Sequence, residues 1–520
     1  MTTTNTNTSN TNTSNTNTTN TNTSNTNTSN TIKEELQISS YIGFKGYSIY
    51  KDYIDEKELK ILREDMTVRP YMPKSPIQPP SFQIYRESKT KIYIPRNYGI
   101  LNYGYPDVVR IPKGHDINIS FSGDLRDYQK NIVSIYINSA TKKNNEGKEF
   151  GGGGLLEVPC GRGKTVIACK IMSELKKKAL VIVHKSFLAD QWIERISQFL
   201  PTARVGKIQG QIIDIENKDI VIGMLQSLSM KDYPDDMFSS FGITIVDECH
   251  HISSEVFSRS LQKIITYYTL GLSATMQRKD GLTKVFKMFL GDIIYHEKRE
   301  SDDSVLVKAI EFKTNNEEFN ETAHDYRGNP AYSTMISKLC TFNHRSEFIL
   351  TILIKELQEK EDQQIMILAH NKNLLTYLYD AIKHRNIASV GYYVGGMKEV
   401  ELKKSEVCKI IIATYAMAAE ALDIKTLSTL ILATPRTDII QAVGRILRVK
   451  HERPLVIDII DSHEIFQGQW QKRLKFYMSN KYTIVHTNNY LYEQNKWSDH
   501  HTKQKKITDK SLKGKCLITI

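Results

Sequence analysis

Gly161-Arg162-Gly163-Lys164-Thr165 follows Val158-Pro159-Cys160 and the apolar pair Leu155-Leu156, and it precedes the helix-like run Val166-Ile167-Ala168-Cys169-Lys170. A strand, a glycine turn and a helix in that order make a phosphate cradle: glycines let backbone amides close on the oxygens, and the helix start adds its positive end. In such a turn Lys164 reaches the terminal phosphates and the Thr165 hydroxyl can ligate magnesium. The strict G-x-x-x-x-G-K-T spelling is not met, because Val158 occupies the first glycine position. A second cluster, Asp247-Glu248-Cys249-His250, ends the β-branched run Ile243-Thr244-Ile245-Val246. Carboxylates at the C-terminal end of a buried strand point into a ligand crevice. Asp247 there can hold magnesium through its water shell while Glu248 polarises an attacking water. Zinc is the competing reading of Cys249, His250 and His251, but no further Cys or His pair stands at ligand spacing. A third cluster, Gln441-Ala442-Val443-Gly444-Arg445-Ile446-Leu447-Arg448, puts Arg445 and Arg448 on one helical face. Guanidinium groups brought to a transferring phosphoryl group from another lobe would make hydrolysis depend on closure. The plain alternative is a surface helix, although Gly444 inside it costs stability.

Two series of short apolar runs must position these clusters. Runs at 179–183, 220–222, 243–246 and 270–272 alternate with helix-like segments, and a second series follows at 365–368, 410–412, 429–432 and 455–457. Such alternation is the pattern of parallel sheets covered by helices, and two series imply two α/β lobes with a cleft between them. The expected organisation is a Thr/Asn/Ser tail at 1–31, an accessory module at 32–123, a first lobe at 124–300, a linker at 301–325, a second lobe at 326–470 and a basic extension at 471–520. From Thr2 to Thr31 the tail has no apolar side chain to offset the entropy of ordering. In the accessory module, a helical patch near 55–65 and a Pro-rich turn region at 70–80 precede period-two runs at 82–86 and 91–96. Arg86, Lys89, Lys91 and Arg96, interleaved with Tyr85, Tyr93 and Tyr98, make either a nucleic-acid platform or an ordinary sheet with half-buried rings and solvated charges.

A net charge of +12 favours a polyanionic partner, because Lys and Arg release counterions from a phosphate backbone. The last 60 residues carry 11 of the basic and 5 of the acidic side chains, a distribution that a merely solvated tail would also show. No apolar run has the length that crosses a bilayer, and six scattered cysteines without a C-x-x-C pair suit a reducing compartment.

The three clusters and the segments between them resemble the ordered motif set of superfamily 2 DEAH/DExH-type helicases over roughly residues 125 to 460. The resemblance implies two RecA-like lobes, ATP and magnesium as cofactors, and a nucleic-acid partner. Leu125-Arg126-Asp127-Tyr128-Gln129 is similar to the family's adenine-recognition segment, with Gln129 reading the base. Gly161 to Thr165 stands as motif I, Asp247 to His250 as motif II, and Ser273-Ala274-Thr275 as the motif that links nucleotide state to grip. Thr414 and Glu420-Ala421-Leu422-Asp423 stand as motif V, with Asp423 on the nucleotide, and Gln441 to Arg448 as motif VI. Val158 to Gly161, with Arg278-Lys279-Asp280-Gly281 after Ser273 to Thr275, looks most like the branch holding the xeroderma pigmentosum group B helicase, phage repair helicases and the poxvirus transcript-release helicase. That branch implies 3′ to 5′ movement along DNA, with residues 183–186 and 223–228 gripping the backbone, and transcription or repair proteins as further partners. An RNA helicase, a non-catalytic nucleic-acid scaffold and a restriction motor subunit are the alternatives. Ala421 where the family usually has glycine, and Met276 where proline commonly follows Ser-Ala-Thr, are departures. The Thr/Asn tail and the branch suit a large DNA virus, with the protein in host cytoplasm or virion.

Overall fold

The structure is a computed structural model that describes residues 39–71, 77–144, 147–159, 161–249, 254–276, 282–297, 305–420, 424–447, 449 and 451–499. The Thr/Asn tail and the end of the basic extension lie outside them.

The N-terminal module is built on β1 (Ser40–Gly43), β2 (Gly46–Tyr50), β3 (Thr67–Val68), β4 (Phe82–Gln83), β5 (Arg86–Glu87), β6 (Lys91–Ile94) and β7 (Val108–Val109). Five of these form a sheet in the order β5-β6-β2-β1-β7, and β3 pairs with β4. Alternation sends Ile42, Tyr47, Ile49, Ile92 and Ile94 to one face, where they are buried. The patch at 55–65 is the helix Glu56–Asp65, started by the Asp55 carboxylate accepting the Glu58 N–H at 2.7 Å. The run at 82–86 is two strands rather than one. Buried Ile84 turns aside there, its N–H donating to the Met66 carbonyl at 2.9 Å, so β4 and β5 join different sheets.

The first lobe holds β8 (Gly152–Glu157), β9 (Ala179–Val183), β10 (Val205–Gln209), β11 (Ile212–Ile213), β12 (Ile220–Met224), β13 (Ile243–Val246), β14 (Tyr268–Ser273) and β15 (Ile293–His296). Their order is β11-β10-β12-β9-β13-β14-β8-β15, parallel except for the edge pair β10/β11. Every residue of β9, β12 and β13 is buried, as expected of strands covered by helices on both faces. The glycines of β8 have a packing reason: a Cβ on Gly153 would stand 1.6 Å from the Thr269 carbonyl oxygen of β14. One continuous apolar core runs through the N-terminal module and this lobe.

The second lobe holds β16 (Leu306–Phe312), β17 (Gln364–Ala369), β18 (Val390–Tyr393), β19 (Ile410–Thr414), β20 (Leu427–Leu432), β21 (Leu455–Asp461), β22 (Thr483–Asn488) and β23 (Ser498–Asp499). They order as β18-β19-β17-β20-β21-β16-β22-β23, again parallel except at the edge pair β22/β23. Ile365, Ile367 and Ala369 of β17 enter the core on one face while Met366 and Leu368 enter the core on the other. Two tandem α/β lobes with mostly parallel eight-stranded sheets are therefore the architecture that the two series of apolar runs imply. Differences lie at the margins of the second lobe. β16 falls inside the stretch read as a linker and pairs with both β21 and β22, and β22 and β23 extend the sheet past residue 470. Phe187, near the start of the helix Ser186–Phe199, packs against the cores of both lobes.

Candidate functional site

Strand β8 feeds the glycine turn at 161–165. The Val158 N–H donates to the Ser273 carbonyl at 2.9 Å, fixing the exit of β8 against the end of β14. The chain then turns through Gly161 and Gly163, with φ of 83° and 79°, into the helix Lys164–Leu175. Gly163 is doubly required: its φ is left-handed, and a Cβ there would meet Gln129 Nε2 at 2.5 Å. Thr165 is the second residue of the helix, beside the amide end that attracts anions.

Gln129 is buried near the start of the helix Asp127–Ala140, and both ends of its amide are engaged. Its Oε1 accepts the Arg126 N–H at 3.0 Å and its Nε2 donates to the Arg162 carbonyl at 3.1 Å. The Tyr128 hydroxyl donates to the same carbonyl at 3.2 Å, and the Arg162 guanidinium carbon lies 3.9 Å from the centre of the Tyr128 ring. Arg162 also pairs with Glu297, the residue after β15. Residues 126–129 and the turn at Arg162 are thus one bonded unit.

Asp247 and Glu248 follow β13, as their position in the sequence implies. Glu248 takes a left-handed φ of 46°, a strained conformation for a side chain of its kind, and strain of this sort gathers at functional turns. Lys164 Nζ donates to Glu248 Oε1 at 2.5 Å, so the lysine of the glycine turn meets the second carboxylate of the pair. Asp247 is buried, its Oδ2 accepting the Trp192 indole N–H at 2.8 Å and its Oδ1 the Glu248 N–H at 2.9 Å. Burial, reinforced by the Glu248 carboxylate and opposed by Lys164, pushes Asp247 up to about 6. A buried carboxylate raised in this way gains from a divalent cation beside it, so the chemistry of Asp247 fits magnesium. Cys249 is buried with its thiol 3.9 Å from the Met276 sulfur.

Ser273 ends β14 and Thr275 stands two residues beyond it. Thr275 N–H donates to Ser273 Oγ at 3.2 Å, and Ser273 Oγ donates to the Thr275 carbonyl at 2.5 Å. Met276 has a local reason to replace proline, since its N–H donates to Glu157 Oε1 at 3.2 Å and proline has no N–H to give. Glu157 also meets His296 Nδ1 at 3.0 Å through Oε2 and takes the Glu297 N–H on its carbonyl at 3.0 Å. Trp192, Glu157 and Glu297 are site neighbours that the motifs do not signal.

In the second lobe Thr414 ends β19, and Gln441 and Arg445 lie on the helix Ile440–Arg445. Arg445 is buried, with Nε donating to the Ala418 carbonyl at 2.8 Å, and Gly444 is buried beside it. His250, Asp423 and Arg448 lie outside the described residues, as do Ala421 and residues 278–281.

The cations of the N-terminal module divide. Arg96 is buried and bonds the carbonyls of Phe150, Thr266 and Tyr267 at the base of the first lobe, the last at 2.8 Å. It holds the module to the lobe and is withdrawn from the mixed platform suggested by its spacing. Tyr98 likewise turns to Asp65, donating its hydroxyl at 2.9 Å. Lys91 stays on the outer face, 4.3 Å from the centre of the Tyr50 ring.

Residues 122–278 match the family described as type III restriction enzyme, res subunit. The chain is 36% identical over 453 residues to "Putative ATP-dependent RNA helicase L396" of Acanthamoeba polyphaga mimivirus, an alignment spanning 84% of this chain and 85% of that protein. The chain belongs to the superfamily 2 helicases. Among further relatives of this helicase, "Putative ATP-dependent RNA helicase QP509L" of African swine fever virus is 28% identical over 63% of this chain and 69% of its own length. The "DNA 3'-5' translocase XPB2" of Sulfurisphaera tokodaii is 30% identical over 34% of this chain and 36% of its own length. The helicase is accordingly a nucleic-acid-dependent ATPase. None of its helices, among the described residues, is long and apolar enough to cross a membrane.

Proposed function

We propose that this helicase hydrolyses ATP at the turn between Gly161 and Thr165 and uses the cycle to move along DNA in the 3′ to 5′ direction. The observation that carries the reading is the meeting of Lys164 and Glu248 at 2.5 Å beside buried Asp247. The lysine of a phosphate turn and a carboxylate able to orient water stand within one bond of each other. Incoming triphosphate competes for Lys164, and the exchange frees Glu248 to accept a proton from the attacking water. Thr165 and Asp247 would hold magnesium, which when bound neutralises charge on the phosphates. Glu248's strained turn and the Trp192 hydrogen bond to Asp247 fix the two carboxylates apart in role. Arg445, with Gln441 on the same short helix, would bring charge from the second lobe when the lobes close. Gln129, already bonded to the Arg162 carbonyl, would join recognition of the base to the shape of the phosphate turn.

DNA as the track is supported by the branch resemblance, by the net charge of +12 and by the translocase name of one relative. RNA is the second reading, favoured by the names of the viral relatives that cover more of the chain. Strand displacement from tailed duplexes decides. The DNA reading expects ATP-dependent displacement on DNA with a 3′ tail and little on a 5′ tail. Displacement from RNA duplexes, with DNA duplexes untouched, would overturn it.

A further inference from the structure

We propose that Arg162 is a nucleobase-stacking residue of the ATP site and that Glu297 positions it. The inference rests on the reading of residues 161–165 as the phosphate turn and adds a base-recognition role that the turn's motif does not assign.

Arg162 and Lys164 are two residues apart but face different surroundings. Lys164 meets Glu248 at the catalytic side, whereas Arg162 lies over the Tyr128 ring, 3.9 Å from its centre, on the side of the adenine-recognition segment. Glu297 neutralises the guanidinium, which makes Arg162 a poor partner for phosphate: an added anion would have to compete with a carboxylate already in place. Neutralisation leaves the planar face intact. The side chain of Arg162 is 39% exposed while that of Glu297 is 12% exposed, so the carboxylate is the inner member of the pair and the guanidinium the outer one. A planar cation backed by an aromatic ring and open on its outer side is a surface for another flat π system. A purine carried by a triphosphate on the neighbouring amides is such a system.

Glu297 is fixed independently of Arg162. Its N–H donates to the Glu157 carbonyl at 3.0 Å, and Glu157 in turn binds the Met276 N–H and His296. The backbone that carries the Glu297 carboxylate is therefore anchored to the end of β8, where the Glu157 side chain reaches the loop after β14.

The experiment measures binding of two probes, ATP and inorganic tripolyphosphate, to the full chain by titration calorimetry. A base-stacking role expects Arg162→Ala to weaken ATP roughly three- to thirtyfold, the range of a cation–π contact, while tripolyphosphate binding stays within about twofold. Arg162→Lys does not restore ATP binding, because an ammonium has no planar face. Glu297→Gln weakens ATP in the same direction without weakening tripolyphosphate, and thermal unfolding reports that each variant is folded. Equal loss of both probes in Arg162→Ala would make the residue a phosphate contact, and unchanged ATP binding would remove it from the site; either overturns the proposal. Lys164→Ala separates the underlying reading. Weaker binding of both probes in that variant upholds the phosphate turn, and unchanged binding of both shows that the site reading itself has failed.

Discussion

Trp192 donates its indole N–H to Asp247 Oδ2 at 2.8 Å, joining the helix Ser186–Phe199 to the acidic pair at the end of β13. A hydrogen bond to a buried carboxylate contributes more than a neutral one, and its loss leaves an oxygen with no compensating donor. Trp192→Phe keeps most of the ring and removes the donor. The expected result is destabilisation by about 1–3 kcal/mol in urea unfolding, with lowered ATP turnover. A midpoint unchanged from the parent would show that the bond contributes nothing.

Lys164 and Glu248 are expected to be indispensable to turnover for different reasons. On the proposed reading, Lys164→Ala removes the cation that would reach the phosphates, and Glu248→Gln keeps the shape but removes the proposed proton acceptor. Each should lower kcat by about a hundredfold or more while nucleic-acid binding survives. Steady-state hydrolysis beside filter binding checks both halves, and turnover near the parent's in either variant would remove that residue from the site.

The glycine turn before a helix, the carboxylates at a strand end and the buried strands were legible because each is local. Glycine in a turn, a carboxylate at a strand end and continuous apolar runs need no knowledge of what packs where. Trp192 was not legible: with Leu188, Ala189 and Ile196 it repeats the apolar spacing of a helix, and its polar partner lies 55 residues away. Glu157, Glu297 and Arg96 were hidden in the same way, since nothing in their neighbours announces a partner on another strand. β16 escaped notice because Lys308 interrupts its apolar run. That lysine is accommodated in the strand by Glu356 at 2.6 Å and Glu359 at 2.9 Å.

Arg96 is a buried cation whose partners are backbone carbonyls of the first lobe, so its removal leaves them without their donor. Burial holds its pKa down to about 10, still far above neutrality, and it remains charged. Arg96→Met should cost about 3 kcal/mol or more, because carbonyls of Phe150, Thr266 and Tyr267 lose a charged donor. Hydrogen exchange should rise at the start of β8 and β14 and in the N-terminal module together. Unchanged protection there would show that the module is held by apolar packing alone.

His370, one residue past β17, is pushed down to about 4 by burial and by neighbouring Arg436. An unfolded histidine takes its proton near pH 6.5, so between about 6.5 and 4 the unfolded chain binds more protons than the folded one. The stability that neutral His370 provides is fully present above pH 6.5 and is lost as pH falls through that window. Allowing for screening at a half-buried ring, the loss is about 2 kcal/mol. His370→Gln should flatten the slope of unfolding free energy against pH across this window, and an unaltered slope would place the titration elsewhere.

ATP hydrolysis by the purified chain is the most direct test that this helicase is a DNA-driven motor. Turnover is measured without nucleic acid and with single-stranded DNA, forked DNA and matched RNA, at one salt concentration because polyanion binding weakens as salt rises. The expected result is low basal hydrolysis, stimulated about tenfold or more by DNA and much less by RNA. Equal or greater stimulation by RNA would contradict DNA as the track, and no hydrolysis under any condition would contradict the motor itself.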